Sequence, residues 1–219
     1  MAERKFQTIV EIPAPPVLTG YTKKLMFMGS CFTENIGNKL AGLKFDIRIN
    51  PFGILYNPLS IANGIQFILN GKPFEHKDLI SFNGVWYSFY HHGKFSSIQK
   101  DQLLTDINHE VMTASEYLKN TDYLFITFGT SWVFRHKEKN IVVSNCHKIP
   151  AADFERFRLS VDEIAETYDT LISELLKVNP SLKIVFTVSP VRHWKDGAVD
   201  NQRSKATLIL SIEKIINRF

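Results

Sequence analysis

The chain has 219 residues, 44% of them hydrophobic and 22% charged, which is enough to bury one sizeable core without disulfide or metal staples. Its formal charge of +4 comes from 26 Lys and Arg scattered among 22 Asp and Glu, with no basic stripe carrying interleaved aromatics, and this argues against nucleic-acid binding. Two cysteines, a polar, Pro-rich start in place of an apolar leader, and apolar runs no longer than a strand point to a cytoplasmic α/β protein with no membrane span; His76, His91, His92, His109 and His136 show no ligand spacing, so no metal is expected.

Residues 1–24 read as an extended arm, because Pro13, Pro15 and Pro16 fix their own φ and restrict the residues before them. The domain proper is expected over 25–219. Leu25 to Met28 is a continuous apolar run that stops at Gly29, the pattern of a strand buried on both faces. A helix should follow, with Ile36, Leu40 and Leu43 on one face and Thr33 capping its first turn. Phe45 to Ile49 alternates as a strand and ends in the turn cluster Asn50-Pro51-Phe52-Gly53.

Pro58 to about Leu69 reads as a helix, 72–100 as a loop insertion with short strands near Trp86 to Phe89, and Asp101 to about Leu118 as another helix. Tyr123 to Phe128 is a second buried strand, again ending at a glycine, Gly129. A hairpin is expected from Trp132-Val133-Phe134 to Ile141-Val142-Val143. Ser160-Val161-Asp162-Glu163 is a capping box, with Ile164, Tyr168, Leu171 and Leu175 marking one helical face behind it. The strand Ile184 to Val188 exits at Ser189-Pro190-Val191-Arg192-His193, and a last helix from about Gln202 to Phe219, apolar nearly all round, should be buried.

Strands alternating with helices predict a parallel sheet in a three-layer, flavodoxin-like sandwich. Ligands of such sheets bind at the carboxyl ends of the strands. Gly29-Ser30-Cys31, Asn50 to Gly53, Gly129-Thr130-Ser131 and Ser189 to His193 all fall there.

A serine between a buried strand and a helix start has its hydroxyl exposed on a tight, open turn where the helix dipole favours developing negative charge, which suits Ser30 to acyl transfer. The first backbone N–H groups of the helix, and Gly53 with no Cβ to block approach, are candidate oxyanion donors. A plain strand-to-helix turn would look the same. His193, after a strand end on this edge, is a candidate base or substrate ligand, or a histidine satisfied by a loop carbonyl. Cys31 has a helix N-terminus to lower its thiol pKa, but as Ser30's neighbour it should point away and pack in the core. Trp86, Trp132 and Trp194 can stack on sugars or pack at the rim. Neither G-x-x-x-x-G-K nor G-x-G-x-x-G occurs, which leaves phosphate binding at this turn without a motif.

Gly29-Ser30-Cys31-Phe32-Thr33-Glu34-Asn35 closely resembles the motif that names the GSCFA family, with Thr33 where the name has alanine. Asn50 to Pro58, Phe128 to Val133, Asn145-Cys146-His147-Lys148, Ser189 to His193 and Asn201 to Leu208 are similar to further family segments, from about residue 25 to the end. GSCFA proteins are regarded as relatives of the SGNH/GDSL esterases and acylhydrolases. The resemblance implies Ser30 as nucleophile and Gly53 as the second-block glycine; the expected small-molecule substrate is an ester, an O-acylated carbohydrate, and no cofactor is expected. Gly129, His147 and Arg192 are expected to line its site. Where SGNH enzymes carry an asparagine after the third-block glycine this chain has Ser131, with one donor hydrogen against two, and Asn145 is the candidate replacement. No Asp-x-x-His follows Asp196, so the chain is expected to be a fragment whose carboxyl-terminal part, holding the general base, is missing. Without that base the fold could instead serve as a carbohydrate- or partner-binding module.

Overall fold

The computed structural model of the chain describes residues 18–192 and 194–219. The arm expected over 1–24 lies outside the described residues as far as residue 17; beyond it, Tyr21 stacks on Phe45 with ring centroids 4.5 Å apart. Four parallel strands form the central sheet: β1 (Lys24–Gly29), β2 (Asp46–Ile49), β6 (Tyr123–Phe128) and β10 (Lys183–Val188), in the order β10-β6-β1-β2. Residue pairs such as Phe27 with Phe125 and Gly29 with Thr127 set the register between β1 and β6.

Alternation along these strands divides the core. Leu25, Phe27 and Tyr123 face α1 (Cys31–Gly42), where Ile36 and Leu40 cover them and Phe27 stacks on Phe125 at 4.3 Å. Met26, Met28, Leu124, Ile126 and Phe128 face the larger core under α2 (Pro58–Asn70), α3 (Lys100–Lys119) and α4 (Val161–Val178). Helices on both faces make the three-layer α/β sandwich that the strand-helix alternation predicts.

Local chemistry accounts for the helix ends. Asn57 caps α2 by accepting the Ser60 N–H at 2.8 Å, Pro58 fills the first helical position, and Gly71 closes it with φ 58°. The Ser160–Glu163 capping box opens α4 as expected, and Tyr168, fully buried on its inner face, donates its hydroxyl to the Pro58 carbonyl at 3.0 Å.

Several expectations need correction. Thr33 does not cap α1: Ser30 occupies the N-cap position, and Thr33 lies inside the helix, fully buried. The short strand expected near Trp86 to Phe89 is present as β4 (Val85–Ser88), but the insertion at 72–100 is a small antiparallel sheet, with β3 (Leu79–Phe82) and β5 (Ser96–Ser97) on either side of it, and not a loop. The hairpin of β7 (Trp132–His136) and β8 (Ile141–Val143) gains an unforeseen third strand, β9 (Phe154–Arg158), on the other side of β7. The last helix, α5 (Gly197–Ile216), starts earlier than expected and is not buried all round. It turns Asn201, Ser204, Leu208, Ser211 and Ile215 inward and leaves Ile209, Leu210 and Ile216 exposed. Among the described residues no helix is long and apolar enough to cross a membrane.

Candidate active site

From β1 the chain turns first to β2 on one side and later to β6 on the other, so the strand order reverses at the carboxyl ends of β1 and β6. That reversal is where a doubly wound sheet opens a crevice. Gly29-Ser30 stands at one lip and Gly129-Thr130 at the other. They touch closely: a Cβ on Gly129 would lie 3.0 Å from the Tyr56 carbonyl oxygen and 3.4 Å from Ser30 Cβ. The Tyr56 carbonyl accepts both the Gly129 and Thr130 N–H groups, at 2.8 and 2.9 Å, and the Ser30 N–H donates to the Thr127 carbonyl at 3.2 Å.

Ser30 is only 1% exposed and its Oγ has no hydrogen-bond partner among the described residues. The hydroxyl expected on an open turn is therefore covered. Its neighbour behaves in the opposite way to expectation: Cys31, the first residue of α1, is half-buried and lines a cleft of about 770 Å³ with the second free thiol, Cys146. Two further buried polar groups near this turn, Thr33 Oγ1 and Asn50 Nδ2, also have no partner among the described residues. Buried polar atoms are nearly always paired, so a group of orphans at one helix start marks a place built for something other than packing.

Asn50 is the residue in this group that the sequence reading passed over. It sits at the carboxyl end of β2 with φ 43°, 2% exposed. Its Oδ1 accepts the Gly29 N–H at 2.9 Å, and since a backbone N–H can only donate, this contact fixes the amide with Nδ2 as the free end. The Asn50 carbonyl in turn accepts the Gly53 N–H at 2.7 Å. Gly53 is thus committed to a turn and has no free N–H for an oxyanion; its glycine is required by φ 75° and by His92, whose Cβ would lie 2.4 Å from a Cβ there.

Ser131 is also committed. It is fully buried, its N–H donates to Ser204 Oγ of α5 at 2.8 Å, and its Oγ bonds the same atom at 3.1 Å, as does Thr130 Oγ1. His147 is 5% exposed in the side sheets, where Nε2 donates to the Ser88 carbonyl at 2.8 Å, the ring stacks on Tyr87, and burial lowers its pKa. Asn145 does line the cleft; its Oδ1 accepts the His147 N–H at 2.8 Å. Arg192 is exposed, with its guanidinium 5.9 Å from the Trp194 ring centre, and His193 lies outside the described residues.

The outer wall of the cleft is aromatic and cationic. The Arg156 guanidinium lies 4.2 Å above the Trp132 ring and pairs with Asp196 at 2.5 Å, with Phe134 and Asn57 nearby on the lining. Behind the Gly129 turn, Lys205 of α5 donates Nζ hydrogens to the Gly129 carbonyl at 2.5 Å and to the Ser189 carbonyl at 2.7 Å, which ties the ends of β6 and β10 together. No group of His, Cys, Asp and Glu able to hold a metal occurs among the described residues. The family model that matches this sequence is that of the GSCFA family, over residues 24–219. No curated protein and no solved structure matches it.

Proposed function

The chain belongs to the GSCFA family, and on that premise we propose that it is a serine hydrolase of ester bonds, an esterase or acyltransferase working through an acyl-enzyme on Ser30. The observation that carries this reading is the placement of an unpartnered Ser30 hydroxyl at the β1/β6 reversal point, on the N-terminus of α1 and beside a cleft of substrate size. In the reaction Ser30 Oγ attacks the acyl carbon, the carbonyl oxygen becomes an oxyanion, and loss of the alcohol leaves the acyl-enzyme. The Trp132–Arg156 wall, with Asn145 on the lining, suits an O-acylated carbohydrate, whose ring faces stack on aromatics and whose hydroxyls pair with an amide and a guanidinium.

The assignment is tested by a fluorophosphonate probe, which reacts with activated serines. Labelling of the wild-type protein should vanish in Ser30→Ala, and equal labelling of both proteins would sink the assignment.

With Gly53 and Ser131 committed elsewhere, the oxyanion donor in this scheme is Asn50 Nδ2, supported by the first N–H groups of α1. Asn50→Asp keeps the acceptor for the Gly29 N–H, deletes both N–H donors and puts a negative charge where negative charge develops. Loss of one such donor costs about 100- to 1,000-fold in rate. The labelling rate of Asn50→Asp should fall by that factor while circular dichroism stays native; a wild-type rate would leave the oxyanion to the backbone alone.

One observation favours a non-catalytic reading, in which the cleft binds a carbohydrate without cleaving it: Ser30 is covered, whereas Trp132, Asn145 and Arg156 are open to the cleft. Acetylated-sugar binding without Ser30-dependent labelling or turnover would decide for it.

A further inference from the structure

We propose that the ligand of the cleft carries a carboxylate, as a uronate sugar does, and that Arg156 with Lys195 forms the subsite that reads it. This deepens the Ser30 reading above by naming its substrate class, an acylated acidic carbohydrate, and rests on that reading for the chemistry at the acyl group. The charged residues on the cleft lining are Arg156, Lys195 and Asp196, two cations against one anion.

Arg156 is prepared for a planar anion. It lies on β9 directly across from Phe134 of β7, and Trp132 stands two residues before Phe134, on the same face of that strand. The guanidinium sits 4.2 Å from the Trp132 ring centre and 5.7 Å from that of Phe134. Two aromatic rings hold its plane, so little rotamer freedom is left to lose when a ligand arrives. Phe134 and the Arg156 side chain are each 38% exposed, which leaves the clamp open to a ligand.

The free groups of this wall are donors. A guanidinium has five N–H bonds, and among the described residues Arg156 uses one in a hydrogen bond, to Asp196 Oδ1. The Trp132 Nε1–H, which can only donate, is buried with no partner among the described residues. Lys195, exposed on the same short turn as Asp196 (Trp194–Asp196), adds an ammonium with no ion pair among the described residues. A neutral sugar offers such a wall hydroxyls alone. A uronate offers two acceptor oxygens in the geometry that a guanidinium fork matches, together with the charge.

Asp196 fixes the sign of the test, because its negative charge beside the subsite opposes an incoming carboxylate. A clip that only ties the turn after β10 to β9 would use the same ion pair. It predicts no preference between acidic and neutral sugars, and no gain in affinity when Asp196 loses its charge.

Binding of D-galacturonate and D-glucuronate, against D-galactose and D-glucose, is measured by ligand-observed NMR titration of the Ser30→Ala chain, alone and with each further substitution, with circular dichroism as the check on folding. Either uronate should bind about 10-fold tighter than its neutral parent. Arg156→Gln should erase that preference and Arg156→Lys keep part of it. Asp196→Asn should tighten uronate binding by about threefold or more without changing the neutral sugars.

Equal affinity for acidic and neutral sugars overturns the subsite, as does a uronate preference that survives Arg156→Gln or fails to grow in Asp196→Asn. Absence of uronate binding at about 10 mM overturns it as well. If Arg156→Gln does not fold, Arg156→Lys and Asp196→Asn decide. Uronate binding with these responses, but without Ser30-dependent fluorophosphonate labelling of the wild type, would sink the Ser30 reading and leave the acidic ligand standing. Ser30-dependent labelling without a uronate preference would sink the subsite alone.

Discussion

Gly29→Ala is expected to remove most of the stability of the fold. Gly29 has φ 141°, where an L residue is strained, and a Cβ there would lie 2.2 Å from the Thr127 carbonyl oxygen, 2.9 Å from its nitrogen and 3.0 Å from its carbonyl carbon. Those are backbone atoms of a central strand paired in register with Gly29, so no rotamer change relieves the overlap. The same residue donates its N–H to Asn50 Oδ1 and accepts the Leu55 N–H at 2.9 Å. Any shift of Gly29 away from β6 therefore breaks the turns on both sides of Ser30. Strain of this kind belongs to the large class of single-residue effects, about 4 kcal/mol or more. For a chain of this length that corresponds to a fall in thermal midpoint of roughly 10 °C or more. Gly42→Ala is the control, since a Cβ at the end of α1 meets nothing within 4 Å, and should be neutral or slightly stabilising. A Gly29→Ala midpoint close to that of Gly42→Ala would show that the strand pair yields more easily than its backbone contacts imply.

The central sheet and the long helices are legible in the sequence because their signals are local. Tyr123 to Phe128 reads as a buried strand and is β6 to the residue; the Ser160–Glu163 box starts α4 where its caps require. β9 escapes because Phe154 and Phe157 stand three apart and feed different clusters, one with Phe89 and Val143 and the other against the main core. A strand whose aromatics do not alternate has no period-two signature. α5 misleads in the other direction: its apolar residues outnumber its buried ones, and its inward stripe includes Asn201, Ser204 and Ser211. Ser204 faces inward to bond the 130–131 turn, and Ser211 spends its hydroxyl on the Thr207 carbonyl of its own helix.

The strand-end turns around Ser30 can be placed from the sequence, but the partners that decide their chemistry cannot. Whether Ser131 is free depends on Ser204, and what Gly129 carries depends on Lys205, contacts 73 and 76 residues apart. Adjacency also misleads at the turn itself. Ser30 and Cys31 do point apart, but with the sides exchanged: Ser30 is the N-cap with its hydroxyl covered, and Cys31, already in the helix, turns its thiol to the cleft. Asn50 could have been found earlier, since a polar residue closing a strand just before Pro51 is a turn former with an amide to place.

Acid should destabilise the fold through His91, a residue outside the proposed chemistry that supports the Asn50 turn. His91 is fully buried, stacked on Phe52 at 4.4 Å between Phe74 and Phe95, with Nδ1 2.9 Å from Ser88 Oγ and no partner for Nε2 among the described residues. Burial, reinforced by His147, pushes its pKa down from 6.5 to about 3. The folded chain therefore keeps a neutral ring over a range where the unfolded chain binds a proton. Stability from this residue is fully present above about pH 6.5 and drains away as the pH falls toward 3. The loss amounts to about 3 kcal/mol at around pH 4. His147 and His92, both lowered first by burial, act with the same sign. His91→Phe keeps an aromatic ring in the aromatic cage and cannot be protonated. Guanidinium denaturation of the two proteins between about pH 7 and 4 should give the wild type the steeper loss, with the difference close to that figure. Parallel curves would mean that the His91 ring finds a proton acceptor without opening the core. Because Phe52 lies between Asn50 and Gly53, protonation should also loosen the turn that holds the Asn50 amide, so Ser30 labelling in the wild type should decline over the same acid range before the chain unfolds as a whole.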